Sequence, residues 1–236
     1  MKNRVARLAL LLVCASLTGC GGALSTQPAE RSAATPPADG TLVWQLDDLH
    51  SIAGKAPELL GAPQLLTDNG RKVVHFNGTN EGLILPLVPI AGMKAFTMQV
   101  LFKPESGGPA EQRFIHSEDD VGERFTFETR LTPAGQWSLD TFLLSANSRL
   151  TLLDTTRLHP ADRWYWVALR YDGATMTSFI NGVKELEGPV TFPPMHDTGR
   201  IAFGVRLNHV SWFKGCIGEL RITPSALPES ALLKVP

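Results

Sequence analysis

From Thr41 onward the chain alternates short apolar stretches with turn signals, and no apolar stripe of helical period runs longer than two turns. Phe96, Met98, Val100 and Phe102 alternate with Thr97, Gln99, Leu101 and Lys103, which predicts a strand with one strongly apolar face. Phe125 to Leu131 alternates more cleanly still. Tyr165, Val167, Leu169 and Tyr171 share one face of another strand, with Trp164, Trp166 and Ala168 on the other. Asp172-Gly173 and Asn181-Gly182 flank the run from Thr175 to Ile180, and such dipeptides close tight hairpins; residues 164–187 therefore read as a three-stranded meander. Asn69-Gly70 and Asn77-Gly78 bracket a strand from Arg71 to Phe76. Further strands are expected at 83–86, 113–117, 137–143, 149–153, 201–206 and 213–223. About a dozen strands of this kind bury their apolar faces best as an all-β, two-sheet antiparallel β-sandwich, with a jelly roll as the expected topology. Ala226 to Val235 reads as a loop or a short helical turn, and the pattern shows no internal repeat.

The first forty residues follow a different rule. Lys2, Arg4 and Arg7 precede an apolar run from Leu8 to Leu17 that is too short to span a bilayer. The run ends in Leu17-Thr18-Gly19-Cys20, which resembles a bacterial lipobox. The resemblance implies cleavage before Cys20, lipidation of its thiol and often acylation of the new amine; two or three acyl chains hold a membrane where one does not. Gly21 after the cysteine implies outer-membrane sorting by the enterobacterial pattern. The small-residue, Pro-rich stretch through Thr35-Pro36-Pro37-Ala38-Asp39-Gly40 reads as a tether. The expected organisation is a signal peptide over 1–19, a lipidated cysteine and tether over 20–40, and one domain over 41–236, lipid-anchored in the cell envelope.

Composition narrows the function classes. Of 236 residues, 43% are hydrophobic and 19% charged, which suits a globular core. Gly (21) and Pro (17) exceed an average share, in keeping with a turn-rich all-β chain. A net charge of −1 argues against nucleic acid as a partner. With Cys14 removed and Cys20 lipidated, Cys216 has no intramolecular partner, so a disulfide scaffold is excluded and Cys216 reads as a buried small hydrophobe. No His-x-x-x-His or Cys-x-x-Cys spacing points to zinc, and no Gly-x-Ser-x-Gly elbow or phosphate-binding Gly loop occurs.

Four segments in order resemble the laminin G-like family, in the concanavalin A-like lectin and glucanase group. They are Val73-Val74-His75-Phe76-Asn77-Gly78 leading to Leu83-Ile84-Leu85-Pro86; Phe96 to Pro104; Trp164 to Gly173 continuing through Phe179-Ile180-Asn181-Gly182; and Phe213 to Ile222 followed by Ala226-Leu227. The resemblance spans residues 41–228 and implies a concanavalin A-like jelly roll. It speaks weakly to function, because the fold hosts lectins, adhesive modules and hydrolases. Gly218 stands where many bacterial members carry an Asp, which puts any role of that acid in doubt here.

Three groups of residues carry candidate chemistry. Glu118-Asp119-Asp120-Val121-Gly122-Glu123 matches the Glu-x-Asp-x-x-Glu string of laminarinase-like glycosidases, in which two carboxyls act as nucleophile and acid. Its spacers are polar or small, so it also reads as a solvated acidic turn between two strands. The family resemblance implies calcium at the sandwich rim, and Asp119, Asp120, Glu123 and Asn208 are the oxygen donors in suitable loops, with Asp119, Asp120 and Asn208 as the chosen set. The loop from Val205 to Phe213 carries Asn208, His209, Ser211 and Trp212, an aromatic ring beside groups that hydrogen-bond hydroxyls, which suits a sugar. Trp212 also suits stapling the loop to the sandwich. His116, in Phe114-Ile115-His116, resembles the His of a jelly-roll alginate lyase strand, with Phe114 in place of that family's Gln. His116, Asn208, His209 and Trp212 are the expected ligand contacts. The expected function is a non-catalytic envelope module that binds carbohydrate, with calcium as a candidate ion, or binds an envelope or extracellular protein. The alternatives are a glycoside hydrolase or polysaccharide lyase, or a structural adhesion subunit.

Overall fold

A computed structural model describes residues 39–235. The expected signal peptide, Cys20 and nearly all of the expected tether lie outside the described residues. The strands in chain order are β1 Leu42–Gln45, β2 Glu58–Leu60, β3 Gln64–Asp68, β4 Arg71–Asn77, β5 Gly82–Leu85, β6 Phe96–Pro104, β7 Glu111–Asp119 and β8 Arg124–Leu131. They continue with β9 Gln136–Ser145, β10 Ser148–Leu153, β11 His159–Pro160, β12 Tyr165–Tyr171, β13 Thr175–Ile180, β14 Val183–Pro189, β15 Gly199–Phe203 and β16 Lys214–Thr223. A single 3₁₀ turn, Glu229–Ala231, stands in the expected C-terminal loop, and no α-helix occurs among the described residues.

The strands form two antiparallel sheets, which is the expected sandwich. The first runs β14-β13-β12-β6-β16-β4-β3, with β1 also pairing β16; the second runs β10-β9-β8-β7-β15-β5-β2, with β11 also pairing β9. Sequence neighbours cross between sheets at several points: β6 belongs to the first, β7 to β11 to the second, and β12 returns beside β6. The meander over 164–187 is present as β12, β13 and β14. At Asn181-Gly182 both residues hold positive φ, 48° and 71°, which a two-residue hairpin requires and which Asn and Gly tolerate best.

Period-2 alternation places the core between the sheets. Phe102 of β6 stacks on Phe114 of β7 with ring centres 4.4 Å apart, and Trp137 of β9 meets Phe102 edge-on at 5.1 Å. All three are buried, so the aromatic contacts join the two sheets. Trp44 and Trp137 belong to this core, whereas Trp166 is nearly buried on the outer face and Trp164 is half-buried beside Asp68. Cys216 is free and buried on β16.

Four strands lie where none was expected: β1, β2, β3 and β11. Leu42, Leu59, Leu65 and Leu66 are exposed, so these short strands lack the one-sided burial that makes alternation readable. The segment 213–223 forms β16, and its pairing with β6 slips between Ile217 and Glu219. Gly218 is the extra residue there and its carbonyl accepts the Leu46 N–H at 2.9 Å. The strand expected over 201–206 ends at Phe203. Gly204 turns the chain with φ 79°, and any side chain there would run into the Phe76 ring. The loop of residues 204–213 starts at that turn.

Candidate functional site

The outer face of the second sheet is polar where its inner face is apolar. On β7 a register shift in its pairing with β8, between Arg113 and Ile115, sets which residues face out. The extra residue lets Phe114 and Ile115 both enter the core, and it sends Arg113 and His116 outward. On β8 Thr126, Glu128 and Arg130 alternate outward against Phe125 and Phe127; on β9 Asp140 lies opposite Glu128.

The loop 204–213 folds onto this face. Phe213 N–H donates to the Gly204 carbonyl at 2.8 Å and closes the loop at its base. Arg113 N–H donates to the Ser211 carbonyl at 2.9 Å, and the Arg113 guanidinium also reaches the Ser211 hydroxyl. His209 and Ser211 both hold φ near 60°, which non-glycine residues rarely adopt. Trp212 is half-buried and packs on a small apolar cluster of Ile84, Ala202 and Val205. That contact anchors the loop.

Between the loop, β7 and β15 lies a hollow of about 500 Å³ lined by His116, Glu118, Asp119, Asp120, Arg124, Gly199, Arg200, Arg206, Leu207 and Asn208. The structure thus brings His116, Asp119, Asp120 and Asn208 together at one place. His209 and Trp212 are not among the lining residues; their rings lie 6.2 Å apart on the part of the loop held to the sheet. Arg124, Arg200 and Arg206 line the hollow without having been foreseen. Nothing local in the sequence links them, since strand pairing brings them together from distant points.

His116 is the most enclosed group of the hollow, at 1% exposure. The Leu207 N–H donates to its Nδ1 at 3.3 Å, while Nε2 has no hydrogen-bond partner and lies 3.8 Å from a Glu118 oxygen. Burial pushes the ring down to about 3, helped by the positive charges of Arg206, Arg124 and Arg113. It is therefore neutral at ordinary pH.

The acidic turn is less solvated than its sequence suggests. β7 extends to Asp119, and both Asp119 (6% exposed) and Glu123 (9%) are buried. Asp119 Oδ1 accepts the N–H groups of Val121 and Glu123, and its Oδ2 accepts that of His196. This is why a carboxylate sits inside: it accepts three backbone donors. Burial, with the Asp119 charge, raises the Glu123 carboxyl. Asp120 bonds the His196 ring at 2.8 Å, and that contact raises the His196 pKa. Asp119, Asp120 and His196 bring one ligand atom each within 4.8 Å of one another, a trio that could coordinate a divalent ion.

A second carboxylate pair sits beside the hollow, around a smaller one of about 200 Å³ that shares Arg124 and Arg206 with it. Glu128 accepts from Arg113, Thr126 and Arg130, and Asp140 from Arg130. Burial, then the Glu128 charge, raises Asp140 to about 6 against the pull of Arg130. At 5% and 1% exposure these acids are sealed under their arginines. They tie β7, β8 and β9 together and have little surface to offer a substrate.

The pattern of a known family now fits the geometry: the concanavalin A-like lectin/glucanases superfamily matches residues 77–232. The chain belongs to that superfamily. Domain 4 of an extracellular arabinanase from Geobacillus stearothermophilus, in complex with arabinotriose, superposes with a TM-score of 0.59 at 22% identity, covering 80% of this chain and 93% of that one. The binding domain of botulinum neurotoxin DC, in complex with SialylT, gives 0.59 at 12% identity, covering 81% of this chain and 50% of that one. The binding domain of Paraclostridial Mosquitocidal Protein 1 gives 0.59 at 14%, covering 80% and 50%. At these identities the likeness is one of fold. No curated protein matches the chain. In this chain the hollow lies on the outer face of one sheet, between β15, β7 and the loop that follows β15.

Proposed function

We propose that this chain is a non-catalytic carbohydrate-binding module held in the cell envelope by a lipid on Cys20. The observation that carries the binding reading is the hollow itself. Guanidinium, imidazole, amide and carboxylate groups converge on a space of about 500 Å³, the size of a small-ligand site. Such groups match the hydroxyl-rich surface of a sugar. The arabinotriose complex of the arabinanase domain lends support, as a saccharide bound to a domain of this fold. The anchor rests on Leu17-Thr18-Gly19-Cys20 alone.

A catalytic role is less well supported. Glu118 is paired with Arg124 at 3.6 Å and Asp120 with His196, so both acids of the expected pair are already held in contacts of their own. Calcium fits poorly too. Asp119 already accepts three backbone N–H groups and His196 supplies nitrogen, so with Asp120 and Asn208 the set still falls short of the six to eight oxygens calcium takes. Binding is expected to need no metal.

The test is a glycan-array screen of the protein, run with calcium and with chelator, beside Asn208→Ala. Asn208 is exposed, so its loss spares the fold. Binding to at least one saccharide class, insensitive to chelator and weakened in the variant, is the expected result. An array blank under both conditions would overturn the reading and favour a protein partner.

A further inference from the structure

We propose that the hollow recognises an acidic sugar through its carboxylate, seated between the Nε2–H of His116 and the guanidinium of Arg206; this rests on the carbohydrate-binding reading above. The first argument is the tautomer of His116. Its Nδ1 accepts the Leu207 N–H, so the ring proton resides on Nε2. Nε2 is therefore a donor. It is buried at the wall of the hollow and has no acceptor, since Glu118 at 3.8 Å is beyond hydrogen-bond reach. Buried donors are almost always satisfied in folded proteins, and an orphan at the edge of a cavity marks the place of a missing acceptor. The neutral state of the ring keeps that proton where it is.

The second argument is the charge inventory of the hollow. Three anions line it, and all are engaged: Glu118 with Arg124, Asp119 with three backbone N–H groups, and Asp120 with His196. Of the three arginines, Arg124 has Glu118. Arg200 and Arg206 form no ion pair among the described residues. Arg206 is half-buried, and burial with the nearby charges of Arg124 and Arg113 lowers its pKa while leaving it cationic. Glu128 and Glu118 act on it from beyond ion-pair distance, and both are already held by other arginines, so Arg206 has no ion-pair partner of its own among the described residues. A carboxylate supplies one and accepts bidentately, and it offers an oxygen to the His116 donor. A neutral sugar would satisfy His116 and leave Arg206 without an ion pair.

The experiment is isothermal titration calorimetry of the protein with trimers of galacturonic, glucuronic and mannuronic acid and a sialylated trisaccharide. Each acid is compared with its methyl ester, which keeps the sugar and removes the charge. At least one acid should bind tenfold or more tighter than its ester, and in Arg206→Gln that preference should collapse to below about threefold. His116→Phe, which keeps a ring and removes the donor, should weaken the same acid. Arg206→Gln decides alone if that variant does not fold. Esters that bind as well as the acids, or a preference untouched by Arg206→Gln, would overturn the inference while leaving a carbohydrate module standing. Equal binding of oligoglutamate, or of inorganic phosphate without any acid sugar, would also overturn it. No binding to any saccharide would remove the carbohydrate reading itself.

Discussion

Lowering the pH from 7 to 5 should destabilise the fold through His116, and His116→Gln should abolish that share of the loss. In the folded chain burial, then Arg206, Arg124 and Arg113, hold the ring down to about 3, against an ordinary value of 6.5. Glu118, at 3.8 Å, is the one carboxylate near enough to oppose them. As the pH falls below 6.5 the unfolded chain takes up this proton and the folded chain does not. The stability that a neutral His116 contributes is thus complete above about 6.5 and is lost progressively as the pH falls toward about 3. Between pH 7 and 5 the difference in proton binding amounts to about 2 kcal/mol. Gln retains an acceptor for the Leu207 N–H and cannot be protonated. Urea unfolding of both proteins at both pH values measures the effect as a difference of differences, which cancels every other titrating group. The wild-type midpoint should fall by about 1 M more than that of the variant. Parallel responses would refute the assignment of a buried, neutral imidazole.

Asp140 works in the opposite sense. Its carboxyl is raised to about 6, so its contribution is greatest at low pH and is lost as the pH rises through that value; Asp140→Asn should remove a loss of about 1 kcal/mol between pH 5 and 7 in the same unfolding assay. Phe102→Ala should cost about 3–5 kcal/mol in denaturant unfolding, because the ring contacts both Phe114 and Trp137 across the sheets. Gly204→Ala should cost about 2 kcal/mol or more by thermal unfolding, since it puts a side chain on a φ of 79° and into Phe76. Burial pushes the Cys216 thiol up to about 12, so peptide mapping after a thiol reagent at pH 8 should find it unmodified in the folded protein and modified in urea.

Strands whose two faces meet different surroundings were legible from the chain. β6, β8 and β12 each have one face in the core, and alternation within a few residues reports that directly. The Asn-Gly hairpin of β13 and β14 was legible for an equally local reason: positive φ is a property of two residues. β2 and β3 were not, because Leu59, Leu65 and Leu66 face solvent and leave no periodic mark. The acidic turn was legible, with Asp120 and Val121 exposed, but the burial of Asp119 was not, since the backbone donors that hold it include one from His196, far along the chain.

The hollow divides in the same way. His116, Asp119, Asp120 and Asn208 were chosen for their chemistry, residue by residue, and side-chain chemistry is written in the sequence. Their assembly is not. Pairing of β15 with β7 sets Ala202 opposite His116 and brings the loop with Arg206 and Asn208 over it; the register shift near Phe114 decides that His116 points outward. Pairing partners and bulges depend on contacts between segments distant in the chain, so no window of sequence contains them. The amino-acid order by itself determined an all-β sandwich, its turns and its supply of polar groups, because those follow from local period and backbone preference. Only the tertiary structure decided that Trp212 would anchor a loop, that Glu128 and Asp140 would be sealed beneath arginines, and that Arg206 would line a hollow with a buried imidazole while forming no ion pair among the described residues.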